Sequence, residues 1–234
     1  MDKMNKFVFD VDGTLTPSRG KINVDFSLWF ADFCDKNEVY LVTGSDRTKT
    51  IEQVGTYIYS LCRRVYQCSG NDVWEGDKHI RSNTVELTEE MQEFLQYHFD
   101  NSTFIDVAEG GQIEVRPGLI NFAIVGRPCL QEQRMEYVLH DQATGERAMI
   151  AKEFNEKFNR KGFEATVAGQ TGIDITRMGN GKEQIIQDFI AKDHLIFFGD
   201  KMEPDGNDYT LSQVVHESYH VKDWRETWQI LAKL

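Results

Sequence analysis

The chain reads as an α/β protein: a layered core built on a parallel sheet, interrupted by a smaller α+β unit. Three observations predict this. Over residues 1–80, short apolar runs ending in Asp or Gly alternate with amphipathic stretches. The pattern changes character near Arg81, and it resumes from Gly181. Strands that alternate with helices pair in parallel, because each crossover needs the length of a helix.

Phe7–Val11 predicts the first strand. Val24–Lys36 has helical spacing, with Phe26, Trp29, Phe30 and Phe33 on one side. Val39–Val42 is a second apolar strand and ends at Thr43-Gly44-Ser45-Asp46. Asp46–Tyr59 predicts a helix with Ile51, Val54 and Ile58 inward, and Val65–Cys68 a third strand. Beyond Arg81, Thr88 is placed to cap a helix whose first turn holds Glu89 and Glu90, and Leu87, Met91, Phe94, Leu95 and His98 follow helical spacing. Ile113–Arg116 and Leu119–Val125 predict strands paired about the turn dipeptide Pro117-Gly118. Leu130–Leu139 and Ile150–Phe163 read as helices, Ala165–Ala168 and Ile173–Arg177 as strands. Lys182–Ala191 then predicts a helix with Ile185, Ile186, Phe189 and Ile190 inward. Leu195–Phe198 is a strand ending at Gly199-Asp200, followed by helices at Asp208–Val215 and Asp223–Leu234. The simplest organisation is a core from residues 1–80 and 179–234, with residues 81–178 inserted as an antiparallel sheet covered by helices.

Composition narrows the function classes. At 234 residues and 40% hydrophobic, the chain can bury a sizeable core. No stretch approaches the roughly 18 apolar residues that span a bilayer. Met1–Lys6 runs straight into the first strand, leaving no room for a signal peptide. Cys34, Cys62, Cys68 and Cys129 show neither zinc-ligand spacing nor a disulfide framework, so a reducing cytoplasm is the expected compartment. The net charge of −12 argues against nucleic acid or an anionic membrane as partner. A phosphate ligand would need a metal and a few placed Lys or Arg.

Four pieces meet that need. The first is Asp10-Val11-Asp12-Gly13 at a strand end. Residues two apart share one face of a strand, so both carboxylates can reach one ligand, and strand carboxyl ends are where open α/β sheets bind ligands. Such a pair can hold Mg²⁺ and also attack and protonate a phosphate ester. An EF-hand would require a further acid or Asn before the glycine and a preceding helix. The second piece is Thr43-Gly44-Ser45, hydroxyls beside a helix start that can donate to a phosphate oxygen, although Ser45 could instead cap the helix. The third is Lys182 in Gly179-Asn180-Gly181-Lys182, a cation for phosphate charge. It is not a Walker A lysine, because Thr176 and Glu183 stand where that motif needs Gly and Ser or Thr. The fourth is Gly199-Asp200 with Asn207 and Asp208, a second carboxylate cluster.

In this order on alternating strand ends, the four pieces resemble the haloacid-dehalogenase superfamily of aspartate-nucleophile phosphotransferases. Asp12-Gly13-Thr14-Leu15-Thr16-Pro17-Ser18-Arg19, Gly44-Ser45-Asp46 with Glu52-Gln53-Val54-Gly55, and Gly199 through Tyr209 are similar to the α-phosphomannomutases within it. So is the insert, through Glu114-Val115-Arg116-Pro117-Gly118-Leu119-Ile120-Asn121, Gly126-Arg127 and Arg134. The resemblance implies a Rossmann-like three-layer core with a cap. It implies Asp10 as nucleophile, Asp12 as general acid/base, and Lys182 with Thr43, Gly44 and Ser45 on the transferring phosphate. It places Mg²⁺ on Asp10 and Asp200 with the Asp12 carbonyl, supported by Asn207 and Asp208. Arg19, Arg116, Asn121, Arg127 and Arg134 would bind the distal phosphate and sugar, and Asp174 a sugar hydroxyl. The substrate would be a hexose phosphate or bisphosphate, the product its isomer or, by hydrolysis on the same residues, free phosphate. A homodimer joined through caps is also implied. The chain differs from the family at Thr43, at Gly172 where a serine is usual, at Pro117 where Asn is usual, and before Lys182, where Trp-Asp is absent. These departures bear on sugar specificity and on the choice between isomerisation and hydrolysis.

Overall fold

The computed structural model describes residues 4–234. The reading of the extreme N-terminus as leaderless falls largely on residues 1–3, outside that range. Two sheets carry the fold. One has seven strands: β1 (Met4–Phe9), β2 (Glu38–Val42), β3 (Arg64–Gln67), β4 (Asp72–Glu75), β5 (Lys78–Ser82), β10 (Asp193–Gly199) and β11 (Glu217–His220), in the order β11-β10-β1-β2-β3-β4-β5. The pairings from β11 to β3 are parallel, and those of β3 with β4 and β4 with β5 are antiparallel. The other is antiparallel, with β6 (Gly111–Arg116), β7 (Leu119–Arg127), β8 (Phe163–Ala168) and β9 (Gly172–Arg177) in the order β6-β7-β9-β8.

Helices α1 (Val24–Lys36), α2 (Arg47–Val54), α3 (Thr56–Leu61), α7 (Tyr209–Val214) and α8 (Trp224–Leu231) flank the first sheet in sequence. Phe26 and Phe30 of α1 are buried with Phe7, Phe9 and Phe198, and Trp224 and Trp228 of α8 stack on Phe26. On the opposite face Val8, Val42, Tyr66, Ile185 and Phe197 form a second apolar layer. Helices α4 (Glu89–Asn101), α5 (Gln131–Thr144) and α6 (Glu146–Phe158) accompany the antiparallel sheet, and Leu95, Tyr137, Phe154 and Phe158 pack on Phe122 and Ile175. Asn23, Asp46 and Thr88 cap α1, α2 and α4 through their side chains.

Several elements differ from the sequence reading. Asp46–Tyr59 is two helices, because Gly55 at φ +83° ends α2 and starts α3. The helix expected to reach Phe163 stops at Phe158. A 3₁₀ turn and Gly162 at φ +83° reverse the chain, and Phe163 opens β8. Lys182–Asp188 is a 3₁₀ helix rather than an α-helix to Ala191, and Ile190 is exposed. Apolar positions at Ile185, Ile186 and Phe189 suit a three-residue turn as well as a 3.6-residue one, so spacing over two turns does not separate them. The short, half-polar strands β4, β5 and β11 carried no apolar run and were not foreseen.

Candidate active site

Strand β1 ends at Phe9, and the next residues turn back on Val11, whose carbonyl accepts from the N–H groups of Leu15 and Thr16. Gly13 (φ +82°) makes that turn, and a Cβ there would sit 2.4 Å from an Asp200 carboxylate oxygen. The backbone is glycine where the two carboxylate loops meet. The ends of the central parallel strands β1 and β10 lie side by side, with Phe9 opposite Phe198. Asp10 and Asp200 therefore arrive together from distant parts of the sequence.

Lys182 is the hinge of the site. It is 1% exposed, and its Nζ donates to Asp10 Oδ1 at 2.5 Å and to Asp208 Oδ1 at 2.7 Å. Asp208 also accepts from the Lys201 N–H at 3.0 Å, which fixes the acidic loop. Asp10, Asp200 and Asp208 each offer a carboxylate oxygen within 4.8 Å of the others. Three carboxylates against one ammonium leave two negative charges unmet in a buried place. Burial first, opposed by Lys182 and reinforced by Asp208 and Asp200, holds the Asp10 carboxyl well above its ordinary value. Burial and Asp208 push Asp200 up to about 7. Hard oxygen donors with this charge shortfall fit a divalent cation such as Mg²⁺.

The Asp12 carboxylate stands apart from that cluster. Its Oδ1 accepts from Gln53 Nε2 at 2.9 Å and from the Arg19 N–H, and its Oδ2 from Ser45 Oγ at 3.4 Å. Asp46, accepting from Lys49 N, caps α2, so Ser45 is free to face the site. The Thr43 Oγ1 accepts from the Ser45 N–H at 3.1 Å, which closes the loop.

One small cavity brings most of the expected residues together. Asp10, Asp12, Thr43, Gly44, Ser45, Asp200 and Asn207 line one side, and Arg19, Arg116, Asn121, Arg127 and Asp174 the other. Arg116 Nη1 donates to the Gly44 carbonyl at 2.8 Å, directly linking the two sheets' units. Asn121 donates to Asp174 Oδ1 at 2.7 Å across the β7–β9 ladder. The arginines are poorly compensated. Burial, then Arg19 and Arg116, push Arg127 down to about 9, and its Nε is buried without a partner. Burial and Arg134 lower Arg19. Burial opposes charge on Arg116 as well, but Glu114 holds it above its ordinary value. Burial raises Asp174 against the pull of Arg116. Arg134 does not line the cavity. It is buried and donates to Cys129 Sγ at 3.4 Å, so it acts on the site through its field.

Sequence reasoning assigned no role to Gln53, which stood only within the Glu52–Gly55 resemblance, and did not single out Arg147. Gln53 is buried and holds Asp12 and Thr16, but a lone Gln on a helix carries no chemical signature. Arg147 fixes the turn between β8 and β9 from behind, through contacts that only the fold creates.

The fold that brings paired carboxylates to the strand ends of a mostly parallel sheet, beside a buried lysine, is shared with a haloacid-dehalogenase-like hydrolase of Bacteroides thetaiotaomicron, at TM-score 0.56 and 12% identity over 92% of this chain and 86% of that one. The profile of the eukaryotic phosphomannomutase family matches residues 28–234, and the chain belongs to that family, which makes it a phosphotransferase or phosphatase. It is 30% identical over 211 residues to a Dendrobium officinale phosphomannomutase, covering 87% of this chain and 83% of the relative. A Caenorhabditis elegans protein described as a probable phosphomannomutase is 29% identical over 214 residues, covering 87% and 84%. The fold is also similar to the trehalose-6-phosphate phosphatase C-terminal domain of C. albicans, with TM-score 0.64, 13% identity and coverage of 99% and 92%. No helix among the described residues is long and apolar enough to cross a membrane.

Proposed function

We propose that the protein is a Mg²⁺-dependent phosphomannomutase-type enzyme, interconverting hexose 1- and 6-phosphates through an aspartyl-phosphate on Asp10. In this reading residues 1–80 and 179–234 form the catalytic core and residues 81–178 a cap that selects the substrate. The observation that carries it is the two-sided cavity: Asp10, held from behind the lining by buried Lys182, faces arginines, two of which have a buried Nε without a partner. A hexose bisphosphate offers a phosphate to each side, and arginine forks suit the one that does not react.

The Asp10 carboxylate attacks phosphorus, and the bond to the sugar oxygen breaks. Asp12, held by Gln53, gives its proton to that oxygen. Lys182, Thr43 and Ser45 offset charge on the transferring group. Mg²⁺ held by Asp10, Asp200 and the Asp12 carbonyl would supply further electrostatic stabilisation, with Asp208 and Asn207 ordering the loop. A hexose 1-phosphate then binds with its phosphate among Arg19, Arg116 and Arg127 and its 6-hydroxyl toward the phosphoryl group on Asp10. Asp12 takes the proton of that hydroxyl as its oxygen accepts the phosphoryl group and the bond to Asp10 breaks. The bisphosphate so formed turns end for end, and Asp10 attacks its 1-phosphate, leaving the 6-phosphate. The cavity measures about 50 Å³, room for a few waters. A sugar therefore enters by outward movement of the antiparallel unit, whose return excludes water.

Hydrolysis is the second reading, and one observation favours it. A cleft of about 490 Å³ adjoins the cavity and is also lined by Asp12 and Asp200, so the proposed acid/base meets solvent from that side. One incubation separates the two. With Mg²⁺, mannose 1-phosphate and a trace of hexose 1,6-bisphosphate, the mutase yields the 6-phosphate without free phosphate. Stoichiometric phosphate release rejects isomerisation and establishes the phosphatase.

A further inference from the structure

The acidic loop after β10 belongs by sequence to the seven-stranded unit, yet its main chain pairs with the other sheet. Val167 of β8 donates its N–H to the Asp205 carbonyl at 2.8 Å, and its carbonyl accepts from the Asn207 N–H at 3.2 Å. The result is a parallel bridge of Val167 with Gly206. β8 is an outer strand, so its outward amides lack partners within the sheet. The loop supplies them as an added strand would. Glycine at 206 lets the loop fold tightly on itself, since a Cβ there would run into the Lys201 carbonyl.

Both ends of this bridge reach the site. On the loop side, Asn207 lines the cavity and Asp208 is the buried partner of Lys182. On the strand side, Ala168 and Gly169 line the same cavity. Arg147 stiffens that turn: its Nη1 donates to the Gly169 carbonyl at 3.1 Å and the Gly172 carbonyl at 3.3 Å, while its Nε donates to Asp141 at 2.8 Å.

We propose that β8 is a positioning element for the metal loop: the Val167 bridge couples docking of the antiparallel unit to placement of Asn207 and Asp208. The inference rests on the Mg²⁺ reading given above. Coupling between two binding events is reciprocal, so a cation that orders the loop also strengthens the bridge. The backbone groups of Val167 bond to Asp205 and Asn207 rather than to a carboxylate of the cluster, and an effect of Mg²⁺ on its amide therefore reports the bridge.

Amide hydrogen exchange of the full chain, with and without saturating Mg²⁺ and no sugar, tests this. Mg²⁺ slows exchange at Val167 and Asn207 by at least about fivefold, while Thr166, which faces β9, is unchanged. Calorimetry on the same samples separates the failures. Mg²⁺ that binds without slowing Val167 overturns the bridge, and absence of any Mg²⁺ binding overturns the metal reading and the bridge with it. The substitution Val167→Pro adds a second measurement, because both polar groups of Val167 face the loop and proline removes the bridge donor without a ladder bond. A folded variant binds Mg²⁺ roughly three- to tenfold more weakly, about 0.7–1.4 kcal/mol. Unchanged Mg²⁺ affinity in the folded variant overturns the proposal, and the exchange experiment on the unsubstituted chain stands if the variant does not fold.

Discussion

The two walls of the cavity are charged in opposite senses and are compensated to different degrees. On the carboxylate side, Lys182 bridges Asp10 and Asp208, and Asp208 is tied further to the Lys201 N–H. On the arginine side, Arg116 is paired with Glu114, but Arg116 and Arg127 each have a buried Nε without a partner, and Arg127 lies among like charges. A buried charge without a partner is costly. The difference teaches which half is already laced together and which is held ready: the first holds the proposed nucleophile around one ammonium with negative charge left for a divalent cation, and the second keeps positive charge that an anion relieves.

The most direct way to break the comparison is to disarm the carboxylate wall. Asp10→Asn keeps shape and one hydrogen-bonding oxygen but removes the attacking carboxylate. Turnover of the sugar phosphate falls by about 10⁴ or more, with circular dichroism and melting unchanged. Asp208 still holds Lys182 in that variant, so the lysine is not left unpaired. Retained turnover would remove Asp10 from the nucleophile role, whatever the arginines do.

The held-ready wall should respond differently. Arg127→Gln removes a buried charge that the free protein leaves uncompensated, so the melting temperature holds or rises. Losing one or two charge-assisted contacts to a phosphate, about 1–3 kcal/mol, raises KM for the sugar phosphate roughly 10- to 100-fold, with a smaller effect on kcat. A lower melting temperature with unchanged KM would mean that Arg127 serves the fold and the two walls are alike.

The walls also differ in how visible they were in sequence. Asp10 and Asp12, Thr43 to Ser45, and Gly199-Asp200 each close an apolar strand, so periodicity located them and the parallel-sheet rule placed them at one edge. Lys182 was legible as a glycine-flanked cation, but its 3₁₀ setting was not, because three apolar residues do not define a period. The arginines came from Arg19, Arg116 and Arg127, spread over more than a hundred positions, and only the family resemblance grouped them. That grouping also included Arg134, which the fold keeps out of the cavity. Gln53 and Arg147 act through contacts between separate elements, which no local pattern encodes. The edge strands β5 and β11 escaped because they alternate weakly and expose polar side chains, and β4 because its four residues hold only two apolar ones.

The smallest effect sharpens the charge account of the carboxylate wall. Burial and Asp208 raise the Asp200 carboxyl from the ordinary 3.8 to about 7, and Asp10 is raised as well. Between those values the folded, metal-free chain holds protons that the unfolded chain has released. Linkage then makes stability fall as pH rises through that window, the reverse of a salt-bridged carboxylate. A divalent cation binds the deprotonated cluster, so its stabilising effect grows over the same range. In chelator-treated protein the melting temperature declines from about pH 5 to about pH 7.5, and added Mg²⁺ raises it more at the upper end. For a chain of this size each kcal/mol of difference amounts to about 2–4 °C, so the trend is measurable by calorimetry. An Mg²⁺ increment that is equal at both pH values, or larger in acid, would mean that the cation does not answer the charge shared by Asp10, Asp200 and Asp208, and the contrast between the walls would lose its electrostatic basis.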